Sequence, residues 1–512
     1  MDGEFLLGID VGTSGCKTEL FDVNGYSLAK AYRGYPIIHP KPGWSEEDPE
    51  EWWRAVVDTT RKVLEVSKVD PSQVRGVSVS CTNACVPVNE DGKALRNAIM
   101  QIDRRTIPQA ERIKEALSEE RVFEVTGNPV APGSFTAPII LWLKENEAKI
   151  FEKAYKFMVP TGYIVQRLTG EFTVDWSRAA TTLLFDIKDK KWREEFCEEL
   201  GIPLEKLPEL HPSWEVVGSV TEKAASLTGL REGTPVVAGC MDTVAAAVGS
   251  GAIKGGDLFC VMGSVARVCA VLGRPSFDKR FLNTCHATPN EWVAIGCVNG
   301  AGLSLKWFID AIGRQEKTLS EKLNLSPYQL LDLEAEKATP GSGGLVYLPY
   351  IAGERSPIWD PEARGVLFGL NLQSERINIV RSFYEGVAYA IRHNVEILRA
   401  ILKGEGGYIK LSGGGARSKV WRQIIADVCG ERVVTTIPLD TEPIGDTLIA
   451  GIGIGVYRNV EEAVKVLRLG EEEKPRREYY EVYSNLFTLY KRLYEHLKED
   501  FKLLAHIEKR FL

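Results

Sequence analysis

At 512 residues, 44% hydrophobic and 26% charged, the chain has the make-up of an ordinary globular protein and is too long for one typical domain. Its 63 basic and 70 acidic side chains give a net charge of −7 with no block of like charges. That argues against nucleic acid as the main partner, because phosphate-backbone binding needs a concentrated basic face.

The chain opens with an apolar run, Phe5 to Val11, broken only by Asp10. Gly12-Thr13-Ser14-Gly15 and a second run from Cys16 to Val23 follow, which reads as strand, turn, strand. Asn24-Gly25 is a two-residue hairpin signal and predicts a third strand from Tyr26 to about Tyr35. Trp52 to Val66 has helical spacing, and Val74 to Ser80 and Val86 to Val88 read as strands. From about residue 151 to 192, helices and short strands alternate. The most apolar long stretch, Pro235 to Ile253, carries Asp242 in its middle, so it reads as a buried strand entering a helix and not as a membrane span.

Near residue 250 the opening device returns. Leu258 to Met262, the small pair Gly263-Ser264, and Val265 to Leu272 repeat strand, turn, strand, with Val261 where Asp10 stands in the first copy. This duplication suggests two related domains. Ile377 to Leu402 is a long helix pattern, and Tyr408 to Ser412 a strand. After Gly413-Gly414-Gly415, Ser418 is placed to cap a helix with Val420, Trp421, Ile424, Ile425 and Val428 on one face, closed by Gly430. Tyr479 to Leu504 is a charged terminal helix pattern. The N-terminus lacks the basic region of a targeting segment. The ten cysteines are scattered, with only Cys81 and Cys85 close, and predict free buried thiols in a reducing cytoplasm.

Three stretches have the chemistry of a site. In Asp10 to Gly15, glycines let backbone N–H groups approach a phosphate, Thr13 and Ser14 add donors, and the carboxylate can hold Mg²⁺; a plain turn at a strand end is the alternative. Gly413 to Ser418 removes side chains where a flat ligand would touch backbone and opens a helix N-terminus; it is neither a Walker A loop nor a dinucleotide fingerprint. Asp242 is costly in its apolar setting unless paired or used. It could act as a general base, cap the helix Val244 to Val248, or both. Gly353-Glu354-Arg355-Ser356-Pro357 says little by itself.

These pieces in this order resemble the FGGY family of carbohydrate kinases, and within it the xylulokinases. The resemblance spans nearly the whole chain and is carried by Gly8 to Gly15, Gly43 to Trp53, Gly133 to Trp142, Pro235 to Gly249, Leu348 to Pro357, Arg364 to Leu370 and Gly413 to Gly430. It implies an α/β fold of two actin-like (ribonuclease H-like) domains with a cleft between them. Residues 1–248 would hold the sugar and the base, and 249–512 the adenosine and a second phosphate loop. It implies Asp242 as catalytic base and Asp10 toward Mg²⁺. Gly12, Thr13, Ser14, Gly263, Ser264 and Gly300 would be at the phosphates, and Gly413, Gly414, Gly415 and Ala416 at the adenosine. ATP is then a co-substrate, and no prosthetic group, nucleic acid or membrane partner is expected; the family suggests a cytoplasmic enzyme and a homodimer.

The sugar pocket departs from the family. Thr82-Asn83 replaces the xylulokinase Met-His pair, Gln101 a usual tryptophan, Thr243 an asparagine, and Ile139 a signature lysine, while Asp103 keeps a substrate-contacting aspartate. D-xylulose leads as substrate, and another ketose, a polyol or a sugar acid stays open. Two rivals also stay open: an actin- or Hsp70-like ATPase, and a sugar binder without catalysis.

Overall fold

A computed structural model describes residues 3–404 and 406–511. They form two compact units. One takes in the chain up to Lys254 together with Leu272–Val293 and Asp440–Arg468; the other takes Gly255–Val271, Ala294–Leu439 and the chain from Leu469 on. The expected boundary after residue 248 is a single cut along the chain, whereas the compact units are interleaved.

The first unit is built on β1 (Phe5–Val11), buried along its whole length. A strand buried on both faces needs a continuous apolar run, which is why alternation is missing here. β1 runs antiparallel to β2 (Gly15–Asp22), which pairs with β3 (Ser27–Gly34). The β2–β3 turn follows the Asn-Gly signal: Gly25 has φ +79°, and Asp22 Oδ1 accepts from the backbone N–H groups of Asn24 and Tyr26. α1 (Pro49–Ser67) starts with Asp48 as its cap and Pro49 in its first turn, and buries Trp52, Trp53 and Val56. Each such large side chain contributes about 1.5–3 kcal/mol by leaving water.

On its other edge β1 pairs in parallel with β4 (Val74–Cys81). Farther along the chain lies the one-turn helix α2 (Trp176–Ala179). β5 (Val216–Ser219), β6 (Pro235–Val237) and β7 (Cys240–Met241) follow, and the sheet order is β5-β6-β4-β1-β2-β3 with β7 also on β4. α3 (Asp242–Gly249) then leaves the sheet.

The second unit repeats the device. β8 (Leu258–Met262) turns back through Gly263-Ser264 into β9 (Ala266–Leu272), with Met262 opposite Ala266. β10 (Trp292–Val298) leads into α4 (Ala301–Ala311). α5 (Arg376–Ile401) precedes β11 (Ile409–Ser412), which lies parallel to β8. α6 (Lys419–Cys429) is capped by Ser418 and closed by Gly430 in the left-handed conformation, as the sequence predicts. β12 (Val433–Ile437) follows β11, giving the order β10-β9-β8-β11-β12 within a seven-stranded sheet. Inside this unit every guanidinium nitrogen of Arg381 has a partner: it donates to Glu385 at 2.7 Å, to the Ala335 carbonyl at 2.9 Å and to the Tyr483 hydroxyl at 3.0 Å.

The chain then returns to the first unit with α7 (Thr441–Gly453). It ends with β13 (Arg468–Glu473) and the long helix α8 (Tyr480–Phe511), seven residues longer at its end than the expected pattern. No described helix is long and apolar enough to cross a membrane. All ten cysteines are free and nine are buried, as expected from their apolar settings.

α3 and α7 touch backbone to backbone. A Cβ on Gly445 would stand 1.8 Å from the Ala245 carbonyl oxygen, and one on Gly249 1.9 Å from that of Thr441. Neither helix can retreat, since both are buried nearly throughout. Gly445→Ala is therefore expected to lower stability in urea or thermal unfolding by at least about 2 kcal/mol. Gly407→Ala, whose added methyl meets open space, should change it by less than about 0.5 kcal/mol.

Candidate functional site

Register brings the predicted residues of the first unit together. Asp10 on β1 lies opposite Ser80 on β4, and Cys240 on β7 lies opposite the same Ser80. Asp242, two residues past Cys240, thus emerges beside the end of β4, where Thr82 and Asn83 follow. The Gly12 to Ser14 turn is closed by Gly12 N–H donating to the Gly15 carbonyl at 3.0 Å. Tyr35 and Tyr32 donate their hydroxyls to the carbonyls of Gly12 and Ser14. Holding the carbonyls from outside fixes the turn while Ser14 stays exposed.

The turn is wired to the expected sugar residues. Thr13 Oγ1 is 3.1 Å from Thr82 Oγ1, which accepts from Gln101 Nε2 at 2.9 Å. Asn83 donates to the Ser134 carbonyl at 2.9 Å. Asp103 differs from the expected sugar contact. It is 1% exposed, and its oxygens accept from Ser45 N–H at 2.6 Å and from Arg105 Nε and Nη2 at 2.8 to 3.0 Å. With Arg105 also 2.8 Å from Glu46, it is a strut.

Asp242 is the first residue of α3 and not its cap; Met241 holds the cap position. Its Oδ1 accepts from the backbone N–H of Thr243 at 2.6 Å and from the Thr243 hydroxyl at 3.1 Å, and its side chain is 24% exposed. The residues that follow it in α3, Thr243 to Gly249, are all buried. A carboxylate held in place by its neighbour and still partly exposed is suited to take a proton.

Three buried ionisable groups nearby were not singled out from sequence. Asp446 on α7 is fully buried and accepts from Ser80 at 2.7 Å and Ser78 at 3.3 Å. Burial pushes its pKa well above the carboxylate range, Asp10 adds to this, and the two serines oppose it. Burial likewise raises Asp175 to about 6. Arg178, 1% exposed, has Nη2 3.8 Å from Asp242 Oδ1. Asp446 carried a usable signal, a lone acid in the apolar run Ile444 to Ile449, the same signal that marked Asp242. Asp175 and Arg178 carried none, because their burial depends on tertiary contacts.

Around Asp10 the donors are carboxylate and hydroxyl oxygens, the hard ligands that Mg²⁺ takes. No group of three or more His, Cys, Asp or Glu side chains among the described residues could hold a metal. One carboxylate fits an ion that draws most of its shell from phosphates and water.

The second unit presents its own turn. Gly263 and Ser264 are exposed, and their carbonyls accept from Gly302 and Leu303 N–H at 3.2 and 3.0 Å, seating the turn on the first residues of α4. Gly300 stands at the cap of α4, where a Cβ would meet the Pro349 carbonyl oxygen at 1.7 Å. Gly413, at φ +83°, lies against Met262, while a Cβ on Gly414 would meet nothing within 4 Å. Ala416 is buried behind Gly414 and Gly415. The three glycines therefore leave one open backbone face at the start of α6.

Glu354 holds the approach to α4. It is 3% exposed and its Oε1 accepts from Asn299 N–H at 2.8 Å and Arg355 N–H at 2.9 Å, while Arg355 Nε donates to Asn299 Oδ1 at 2.9 Å. Burial raises its pKa to about 8.

These features belong to a nucleotide-dependent sugar kinase of two related α/β domains. Residues 5–249 match the N-terminal domain, and 258–454 the C-terminal domain, of the FGGY family of carbohydrate kinases. The chain is 33% identical to the xylulose kinase of Bacillus subtilis over 503 residues, 97% of this chain and 98% of that one. It is 30% identical to the gluconokinase of the same organism over 510 residues, 99% and 98% of the two chains. The crystal structure of xylulose kinase from Rhodospirillum rubrum superimposes with a TM-score of 0.86 at 28% identity, over 98% of this chain and all of that one. Gluconate kinase from Lactobacillus acidophilus, at 24% identity over 98% of this chain and all of that one, shares the fold with a TM-score of 0.88. The chain belongs to the FGGY family and is a carbohydrate kinase with that family's two-domain actin-like fold.

Glu354 supplies a pH test. A carboxyl with a folded pKa of about 8 and an unfolded one of about 4.3 stabilises the fold fully below the lower value and loses that contribution as pH rises through the upper one. Glu354→Gln cannot ionise. Its melting temperature relative to the parent chain should therefore be higher at pH 8 than at pH 5. An unchanged difference across that range would mean the ionised carboxylate is held by its two backbone donors throughout.

Proposed function

We propose that the chain transfers the γ-phosphoryl of ATP to a hydroxyl of a sugar, with D-xylulose, giving D-xylulose 5-phosphate, as the leading substrate. The observation that carries this reading is Asp242: a partly exposed carboxylate fixed by Thr243, delivered by β7 to the end of β4 beside Thr82 and Asn83. The acceptor hydroxyl gives its proton to Asp242 as its oxygen bonds to the γ-phosphorus. The bond from that phosphorus to the β–γ bridging oxygen breaks, and ADP leaves with the electron pair. Gly12, Thr13 and Ser14 in the N-terminal half (1–248), and Gly263, Ser264 and Gly300 in the C-terminal half (249–512), border the phosphates, with the hydroxyls of Thr13, Ser14 and Ser264 as donors to phosphate oxygens. Gly413, Gly414, Gly415 and Ala416 border the adenosine. Asp10 would hold the Mg²⁺ that arrives with the nucleotide, and that ion would supply neutralisation of phosphoryl charge. Thr82 and Asn83 contact the sugar, with Asp103 behind them as a support.

A second reading, a sugar acid such as gluconate as acceptor, is favoured by the full-length likeness to gluconokinase. Both readings meet in one experiment: ADP release with Mg-ATP across ketoses, polyols and aldonates. D-xylulose is expected to respond most strongly; a dominant response to gluconate moves the assignment to the second reading. Asp242→Asn should cut turnover on the responding sugar by roughly 10²–10⁴ while Mg-ADP still binds. Turnover within a few-fold of the parent would rule out Asp242 as the base.

A further inference from the structure

We propose that Arg178 is the positioning residue of Asp242, holding that carboxylate ionised and aimed without tying it up. The inference rests on the reading of Asp242 as base and adds a residue that reading does not contain.

α2, which carries Arg178, is bound to the strand that delivers Asp242. Asp175 accepts from Ser177 N–H at 2.7 Å, from the Ser177 hydroxyl, and from Ser213 at 3.3 Å. Ser177 Oγ in turn accepts from the backbone N–H of Met241 at 2.9 Å, one residue before Asp242. From the other side Thr284 donates to the Ser177 carbonyl at 2.7 Å. The Arg178 carbonyl accepts from Thr181 N–H at 3.0 Å and from its hydroxyl at 2.8 Å. Both ends of the Arg178–Asp242 pair are thus fixed to one hydrogen-bonded frame.

The guanidinium itself is under-bonded for its burial. Among the described residues, Arg178 Nε and Nη2 are buried and make no hydrogen bond. Arg381, buried to the same degree, uses Nε, Nη1 and Nη2 on a carboxylate, a carbonyl and a hydroxyl. Arginine stays charged at any working pH, and burying it uncompensated is expensive. The compensation here is charge and not hydrogen bonds. That charge comes from Asp242, 3.8 Å away, and from Asp175 at the start of the same helix, whose ionised form the guanidinium favours. At 3.8 Å from Asp242 Oδ1 the attraction is strong at low dielectric, yet too long for a hydrogen bond that would have to break before the carboxylate accepts a proton. A purely architectural arginine would be bonded like Arg381.

The test uses the full-length enzyme with its responding sugar. Arg178→Met should lower kcat about 100-fold with KM for Mg-ATP within about twofold, and Arg178→Lys should recover about tenfold of that loss. In the Asp242→Asn background, Arg178→Met should reduce the residual turnover by less than about threefold. Two results overturn the proposal: kcat within threefold of the parent in Arg178→Met, or the same loss from Arg178→Met whether residue 242 is Asp or Asn. If Arg178→Met does not fold, as seen by loss of Mg-ADP binding, Arg178→Lys decides: an intermediate kcat loss at unchanged Mg-ATP KM, absent with Asn at 242, supports it, and any other pattern overturns it. Full turnover by Asp242→Asn alone defeats the base reading, whatever the arginine variants do.

Discussion

Pairing of three strands at Ser80 decides where the acids of the first unit surface. Asp10 lies on one side of it, Cys240 on the other, and its hydroxyl reaches Asp446 on α7. A parallel sheet sends all its carboxyl ends to one edge, and in open α/β sheets ligands bind outside that edge. Asp10, Thr82 and Asp242 arrive there because β1, β4 and β7 end together. A one-residue slip of β4 would turn Ser80 to the opposite face and leave Asp446 buried without its donors. The close helix contact at Gly249 and Gly445 has the same consequence from below, because it fixes α7, and so Asp446, against α3.

The first unit keeps several groups that a stability optimum would remove. Asp446, Asp175 and Arg178 are each buried to 1% exposure or less, and burying a charge costs several kcal/mol unless partners repay it. Their partners are unequal: Asp446 has two serines, Asp175 has Ser177 and Ser213, and Arg178 has mainly carboxylate charge. Departures from local rules concentrate where a protein acts. The second unit shows the contrast, since its buried Arg381 and Glu385 are closed by hydrogen bonds from Tyr483, Gly341 and Ser342.

Sequence made legible what depends on near neighbours. The Asn-Gly hairpin, the cap at Ser418, the left-handed closure at Gly430 and both strand-turn-strand copies are local, and each formed within a residue or two of expectation. Asp242 stood out because an acid in a run of small apolar residues is conspicuous. Long-range matters were hidden. That Asp103 is spent on Arg105 and Ser45 depends on a contact 58 residues away in the chain. That Arg178 lies against Asp242 depends on Ser177 meeting Met241 64 residues on. The interleaving of the units was hidden for the same reason: no local feature at residue 440 announces that the chain returns to the first unit.

The two turns, built alike, differ at the residue that matters most for charge. Asp10 pairs with Ser80 across a parallel ladder; Val261, at the same place in the second copy, pairs with Ser412. Each turn exposes a serine, Ser14 or Ser264, but only the first copy adds a carboxylate. Two carboxylates facing one polyphosphate would repel it and each other, whereas one can hold a cation that the phosphates share. Asp242 lies in the same unit as Asp10, so on the proposed reading the base and the cation-holding group are on one body. The second unit has Val261 at the matching place and an open glycine face at Gly414. On the proposed reading this asymmetry lets a duplicated fold divide its labour, and it leaves substrate choice to the residues that differ most from the xylulokinase pattern, Thr82, Asn83 and Thr243.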